Sequence, residues 1–303
     1  MNEHNKSLIY IQVSIFLFGF SALFAKLINQ PPVVITFGRV FFSSVFLFAL
    51  IKCNKLNLKL DMKKDYLLMI ISGIMLAAHW FCFIQSIQVS TVAIGTITFS
   101  TFPLFVSFLE PVFFKEKIRI RTVICSLIMM TGVLIIARID HNRESNRIII
   151  GIFRRVPTGT RFPSGIIAGL VSSLTYAVLS LLNRYFSAKY KSEIIVFYEQ
   201  ATAAIVLLPF LFAVQIMITK NDLFLLALLG VIFTAVAHGL FIRGLRYVKV
   251  STAGIISGLE AVYAIMLASV ILREIPAINE VLGGLIVILT AGYMTLFREK
   301  KAS

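Results

Sequence analysis

Ten apolar stretches of roughly span length, separated by short polar connections, dominate this chain and constrain what it can fold into. Crossing a hydrocarbon core of about 30 Å takes about 20 mostly apolar residues. The candidates are residues 8–28, 33–51, 66–87, 91–113, 120–137, 165–186, 194–217, 223–245, 250–272 and 279–297. Pro31-Pro32 opens the second, Asp65 the third, and Asp222 is placed to N-cap the eighth. The first run follows Lys6, but it is longer than a signal-peptide core needs and many similar runs come after it, so it reads as a retained helix. Segments of about ten alternating residues, the mark of a membrane barrel, are absent from the sequence, so lipid leaves an all-α helical bundle.

Composition agrees. Hydrophobic residues make up 58% of the 303, charged residues 14%, and the mean hydropathy is +0.91. A net charge of +15 would ordinarily raise nucleic acid as a partner. Here Lys and Arg flank the apolar runs in short clusters, the pattern of the positive-inside rule, and nucleic-acid binding is excluded on that ground. Cys53, Cys82 and Cys125 are odd in number and have no ligand-like spacing, which argues against disulfides and against a metal site.

The chain repeats itself. A shift of 158 residues lays Phe18-Gly19 on Tyr176-Ala177, Lys26 on Arg184, Trp80 on His238, Phe83-Ile84 on Phe241-Ile242, and Glu116 on Glu274. The pair Thr96 and Ser100 falls on Gly254 and Gly258, predicting close packing of helices 4 and 9 beside the substrate path. Residues 1–137 and 164–303 are then two five-helix repeats joined by 138–163. Five is odd, so the second repeat enters the membrane inverted, and equivalent loops must differ in charge. They do in all four pairs. The 2–3 loop holds Lys52, Lys55, Lys59, Lys63 and Lys64, whereas its partner has only Lys220. With both termini cytoplasmic, inside segments hold 19 basic residues and outside segments 9. Six of the nine are arginines in 138–163, which reads as an interfacial segment at the headgroups.

Ionisable groups at membrane depth mark candidate sites, because each costs about 2.5–3.5 kcal/mol on insertion scales. Glu260 lies about 15 Å into helix 9, near the midplane, as a substrate or coupling carboxylate. Glu199 and Gln200 lie nearer the cytoplasmic end of helix 7. Arg39 in helix 2 falls toward the outer side, where it would anchor a gate or meet a substrate carboxylate, so an Arg39–Glu199 ion pair is not expected. His79, Trp80 and His238 form a second constellation. A neutral imidazole is tolerable in a bundle and can relay protons, which keeps a proton open as coupling ion. Trp80 with Tyr176 and Tyr263 would wall a cavity. Each has a plainer structural reading as a packed, snorkelling or capping residue. Glu116 and Glu274 fall at helix ends, where capping or rim ion pairs are expected.

Phe18-Gly19 with Lys26, Arg39, the Pro103–Glu116 spacing, Tyr198-Glu199-Gln200 with Pro209, and Leu259-Glu260-Ala261-Val262 with Glu274 together resemble the drug/metabolite transporter superfamily, in its EamA-type ten-helix branch. The chain departs from that pattern at Ala261, where proline is usual, and in its long central loop. The resemblance implies a cavity between the repeats, alternating access, and a small organic substrate such as an amino acid or related compound. It implies a location in the cell (inner) membrane, and no cofactor. Walker, HExxH and GxSxG motifs are absent from the sequence. The alternative class is a non-transporting membrane protein, an intramembrane enzyme or a scaffold. Substrate, direction and oligomeric state are not legible.

Overall fold

A computed structural model describes residues 2–28, 30–89, 98–136, 162–260, 262–263, 266–267 and 278–296. The expectations about 138–161, Thr96 and Glu274 lie outside the described residues. The helices are α1 (Glu3–Leu27), α2 (Pro32–Cys53), α3 (Lys63–Val89), α4 (Phe102–Phe114), α5 (Ile120–Ile136), α6 (Phe162–Ser187), α7 (Ser192–Leu211), α8 (Lys220–Leu245), α9 (Val250–Ser257) and α10 (Ile278–Leu296). Among the described residues there is no strand. Five of these helices, α2, α3, α6, α7 and α8, are both long and apolar enough to cross a bilayer. Large apolar residues remain exposed around the bundle, among them Ile205, Phe212 and Leu289. In water such a surface would drive aggregation; in lipid it is the expected face. The protein is an all-α membrane protein of two inverted five-helix repeats.

Packing between the halves obeys the repeat. Helix α2 packs on α7, α4 on α9 and α5 on α10, each against its own counterpart, while α1 packs on α8 and α3 on α6. The last two pairs are exchanged when the halves are exchanged, as a pseudo-twofold axis requires. This contact pattern gathers the chain's centre around α2, α3, α6, α7 and α8. The main buried cluster runs through both halves, from Ile11, Val40, Leu76 and Trp80 to Tyr176, Phe241 and Ile256.

Local signals act where the sequence placed them, with one correction. Pro31 caps α2 and Pro32 occupies its first turn, where the missing N–H is not needed. The N-cap of α8 is Thr219, and Asp222 is its N3 partner: the two side chains exchange hydrogen bonds with each other's backbone N–H in a capping box. Asp222 was expected at the cap itself, but a carboxylate three residues in satisfies the same orphan donors and Thr219 completes the pair.

Helix α8 is interrupted by a π-helical turn, Val231–Val236. The wider turn changes the phase of the helix face beyond it, a device often found at functional sites. Gly230 precedes it, and a Cβ there would lie 2.6 Å from Phe42 Cβ and 2.9 Å from the Arg39 carbonyl oxygen. Gly73 does the same between α3 and α7, where a Cβ would lie 2.4 Å from Thr202 Cβ and 2.9 Å from the Glu199 carbonyl oxygen. Both glycines bring backbones together beside residues of the candidate site. We therefore expect Gly73→Val to lower stability by about 1–3 kcal/mol through overpacking. The loss is read as a lower melting temperature of the detergent-purified chain; an unchanged melt would show that α3 and α7 part there freely.

Candidate functional site

Between the repeats, charged and aromatic side chains meet at membrane depth. Arg39, 7% exposed, turns inward from α2. Its guanidinium lies over the Trp80 ring, 3.7 Å from the centroid, and its Nε–H donates to Thr234 Oγ1 at 3.1 Å. Thr234 is supplied by the π-helical turn of α8. Arg39 is also electrostatically coupled to the carboxylate of Glu260. The sequence placed Arg39 near the outer side as a gate anchor or substrate contact. Its side chain is buried inside the bundle against Trp80, and Glu260 acts on it through charge. A guanidinium suits this position because it stacks on an aromatic face while still donating in its own plane.

Trp80 joins this group to a second one. Its ring meets the His238 ring edge-on at 6.2 Å. His238 Nε2 lies 2.9 Å from Glu199 Oε2, with both side chains at most 2% exposed. Glu199 is therefore neither snorkelling nor capping; it is paired inside the bundle, about 10 Å from the start of α7. Gln200 is fully buried, and neither its amide oxygen nor its nitrogen has a hydrogen-bond partner.

An aromatic wall continues from Trp80. His79 Nδ1 lies 3.1 Å from the Ser172 carbonyl oxygen and 2.9 Å from its hydroxyl. The His79 ring also lies 4.5 Å from Tyr176, which in turn meets Phe102 at 4.8 Å and Phe241 at 6.3 Å. Tyr263 stands apart, with its ring against Phe16 at 5.4 Å and its hydroxyl 3.4 Å from Gln12 Oε1. Gly254 faces Phe102 and Pro103 of α4, whereas Gly258 faces Met129 of α5, so the small residues of the ninth helix meet two partners. Ser100 is half-buried in the turn preceding α4. Among the described residues, no group of three or more His, Cys, Asp or Glu side chains could hold a metal ion.

A third cluster, missed in the sequence apart from Glu116, binds the two halves at one membrane face. Glu110 of α4 is buried, and its carboxylate accepts the backbone N–H of Val250 at 2.8 Å and of Ser251 at 3.0 Å. It thereby caps α9 from the other repeat, placing negative charge at a helix N-terminus. Arg184 of α6 donates to the same carboxylate and lies 3.6 Å from Glu116, while its guanidinium sits over Phe114. Lys249 pairs with Glu116, and Arg119 lies 3.9 Å from it. The signal that could have found Glu110 is an acidic residue three positions inside the candidate span 91–113.

Burial raises the Glu116 carboxyl, but the Lys249 hydrogen bond and charge, with Arg184 and Arg119, outweigh it and hold the group below its ordinary value. A depressed folded-state value contributes stability above the unfolded value, and that stability is lost as pH falls through the folded one. Lys249→Met should therefore lower the melting temperature near neutrality, and the gap to wild type should narrow between about pH 5 and pH 3. Melts at stepped pH check this; a gap independent of pH would show that Lys249 acts by packing alone.

Residues 5–138 and 163–296 each match the model of the EamA-like transporter family. A Bacillus subtilis protein described as an uncharacterized transporter is 24% identical over 303 residues, covering 98% of this chain and 92% of its own length. An Archaeoglobus fulgidus protein, likewise described as an uncharacterized transporter, is 26% identical over 290 residues and covers 95% of each chain. A solved crystal structure superposes with a TM-score of 0.76 over 96% of this chain and 97% of its own at 16% identity, a likeness of fold.

Proposed function

Because the chain belongs to the EamA-like transporter family, we propose that it is a secondary transporter of a small organic metabolite, an amino acid or related compound, working by alternating access. It lies in the cytoplasmic membrane with both termini inside, the orientation that puts its basic loops on the cytoplasmic side. The observation that carries the reading is Arg39 of one repeat buried against Trp80, with Glu260 of the other repeat acting on it through charge. A guanidinium and a carboxylate at matched depth offer one contact each to the carboxylate and ammonium of a zwitterion, and the ring offers an apolar face. A site placed between inverted repeats becomes accessible to either side when the repeats rock about it.

The Glu110–Arg184 and Glu116–Lys249 pairs support this reading, because each joins residues of different repeats at the basic face. Opening toward that face parts them. The site offers recognition by charge and by an apolar ring, and the chain acts as a carrier.

Candidate substrates are found by thermal-shift screening against amino acids, nucleosides and S-adenosyl compounds at two pH values, since a ligand that binds only the folded state stabilises it. With a hit in hand, Glu260→Gln should abolish or uncouple flux in proteoliposomes while leaving the melt of the unliganded chain near wild type. Wild-type flux from that variant would remove Glu260 from the site and with it the reading.

A further inference from the structure

The transport reading makes no use of the Glu199–His238 pair, although it is among the most deeply buried polar contacts of the molecule. Its two side chains are hydrogen-bonded to each other at 2.9 Å, one on α7 and one on α8. Glu199 Oε1 has no hydrogen-bond partner, although the Asn183 amide is close enough to bias the carboxylate. Asn183 Oδ1 and both polar atoms of Gln200 are likewise buried and unpartnered. Unsatisfied acceptors at this depth are costly unless a further hydrogen reaches them.

Charge points the same way. Around the pair stand Arg39 from α2 and His79 from α3, both adjoining the Trp80 ring that meets His238, and Tyr176 from α6, which adjoins His79; Glu260 acts on Arg39 through charge. From α1 comes Tyr10, which lies against Arg243 near the basic face. Among the described residues, His238 is the one basic side chain within ion-pair distance of Glu199. A buried carboxylate without a permanent cation beside it is costly, and a single proton removes the charge.

We propose that Glu199 and His238 form a proton-binding site, and that its occupancy is coupled to the Arg39 site. This rests on the transporter reading only in what the coupling serves. A hydronium ion delivers one proton and leaves water. The proton forms either an O–H bond at Glu199 Oε1 or an N–H bond at His238 Nδ1, and the pair passes from net −1 to neutral. Two routes carry the change to Arg39. Thr234, which accepts from Arg39, stands one turn before His238 on the same π-interrupted helix. The Trp80 ring separates His238 from the guanidinium, touching both.

Trp80 is the only tryptophan in the chain, so its emission reports on this pair directly. In the detergent-purified full-length protein, Trp80 fluorescence should titrate with a single midpoint between about pH 4 and pH 9. Glu199→Gln and His238→Gln should each abolish the transition or move its midpoint by about one unit or more, a tenfold change in proton affinity. His79 also adjoins Trp80, at 6.4 Å, so His79→Gln is the control and should retain the transition. Should either main variant fail to fold, Glu199→Asp keeps the charge on a shorter arm and should still move the midpoint. Infrared titration of the wild type should show a protonated-carboxyl or imidazolium band appearing with the same midpoint. Flat wild-type emission, a midpoint unmoved by every Glu199 and His238 variant that folds, or an infrared titration without either band overturns the proposal. None of these measurements involves flux. A failed titration therefore leaves the transporter reading standing, and wild-type flux from Glu260→Gln leaves the proton site standing.

Discussion

The structure depends on the expense of charge inside a bilayer. Water solvates a lone guanidinium or carboxylate; the hydrocarbon core does not, so every deep ionisable group must find its partner within the protein. Arg39 finds one in the Trp80 ring, one in the Thr234 hydroxyl and one in the Glu260 charge. Glu199 finds His238, and Glu110 finds Arg184 together with two backbone donors of α9. Several of these partnerships cross from one repeat to the other. The interface between the halves thus carries paired polar groups within its apolar packing, and it is where motion between the repeats has chemical consequences.

Backbone geometry serves the same end. Gly73 and Gly230 let α3 approach α7 and α2 approach α8 more closely than any side chain would permit. The π-helical turn then sets the phase of α8 so that Thr234 meets Arg39 and His238 meets Glu199. One irregular turn thus serves two contacts. An uninterrupted α-helix through 231–236 would rotate one of these residues away from its partner, because a residue added to one turn rotates every later side chain about the helix axis.

Helix number, repeat, inversion and family resemblance were legible without coordinates, and so was the short list from which the centre is built. The pairing within that list was not. Arg39 stood on that list without its partners, because depth along a helix says nothing about which way a long side chain turns. Trp80 and His238 share a repeat position, yet only the pseudo-twofold packing of α3 on α6 and α1 on α8 brings their rings together. The role of Glu110 as a cap for α9 exists only because α4 and α9 lie side by side.

The division comes from the physics. Lipid imposes a rule on each segment taken alone: it must be apolar, long enough, and closed in its own hydrogen bonds. Each segment answers to that rule by itself, so span count and the repeat are properties of the sequence by itself. The interface between the repeats is different, since contact there depends on helix phase, close approach and rotamer, which are settled jointly by helices distant in the chain. Tertiary structure alone joined Arg39 to Trp80 and Thr234, Glu199 to His238, and Glu110 to Arg184.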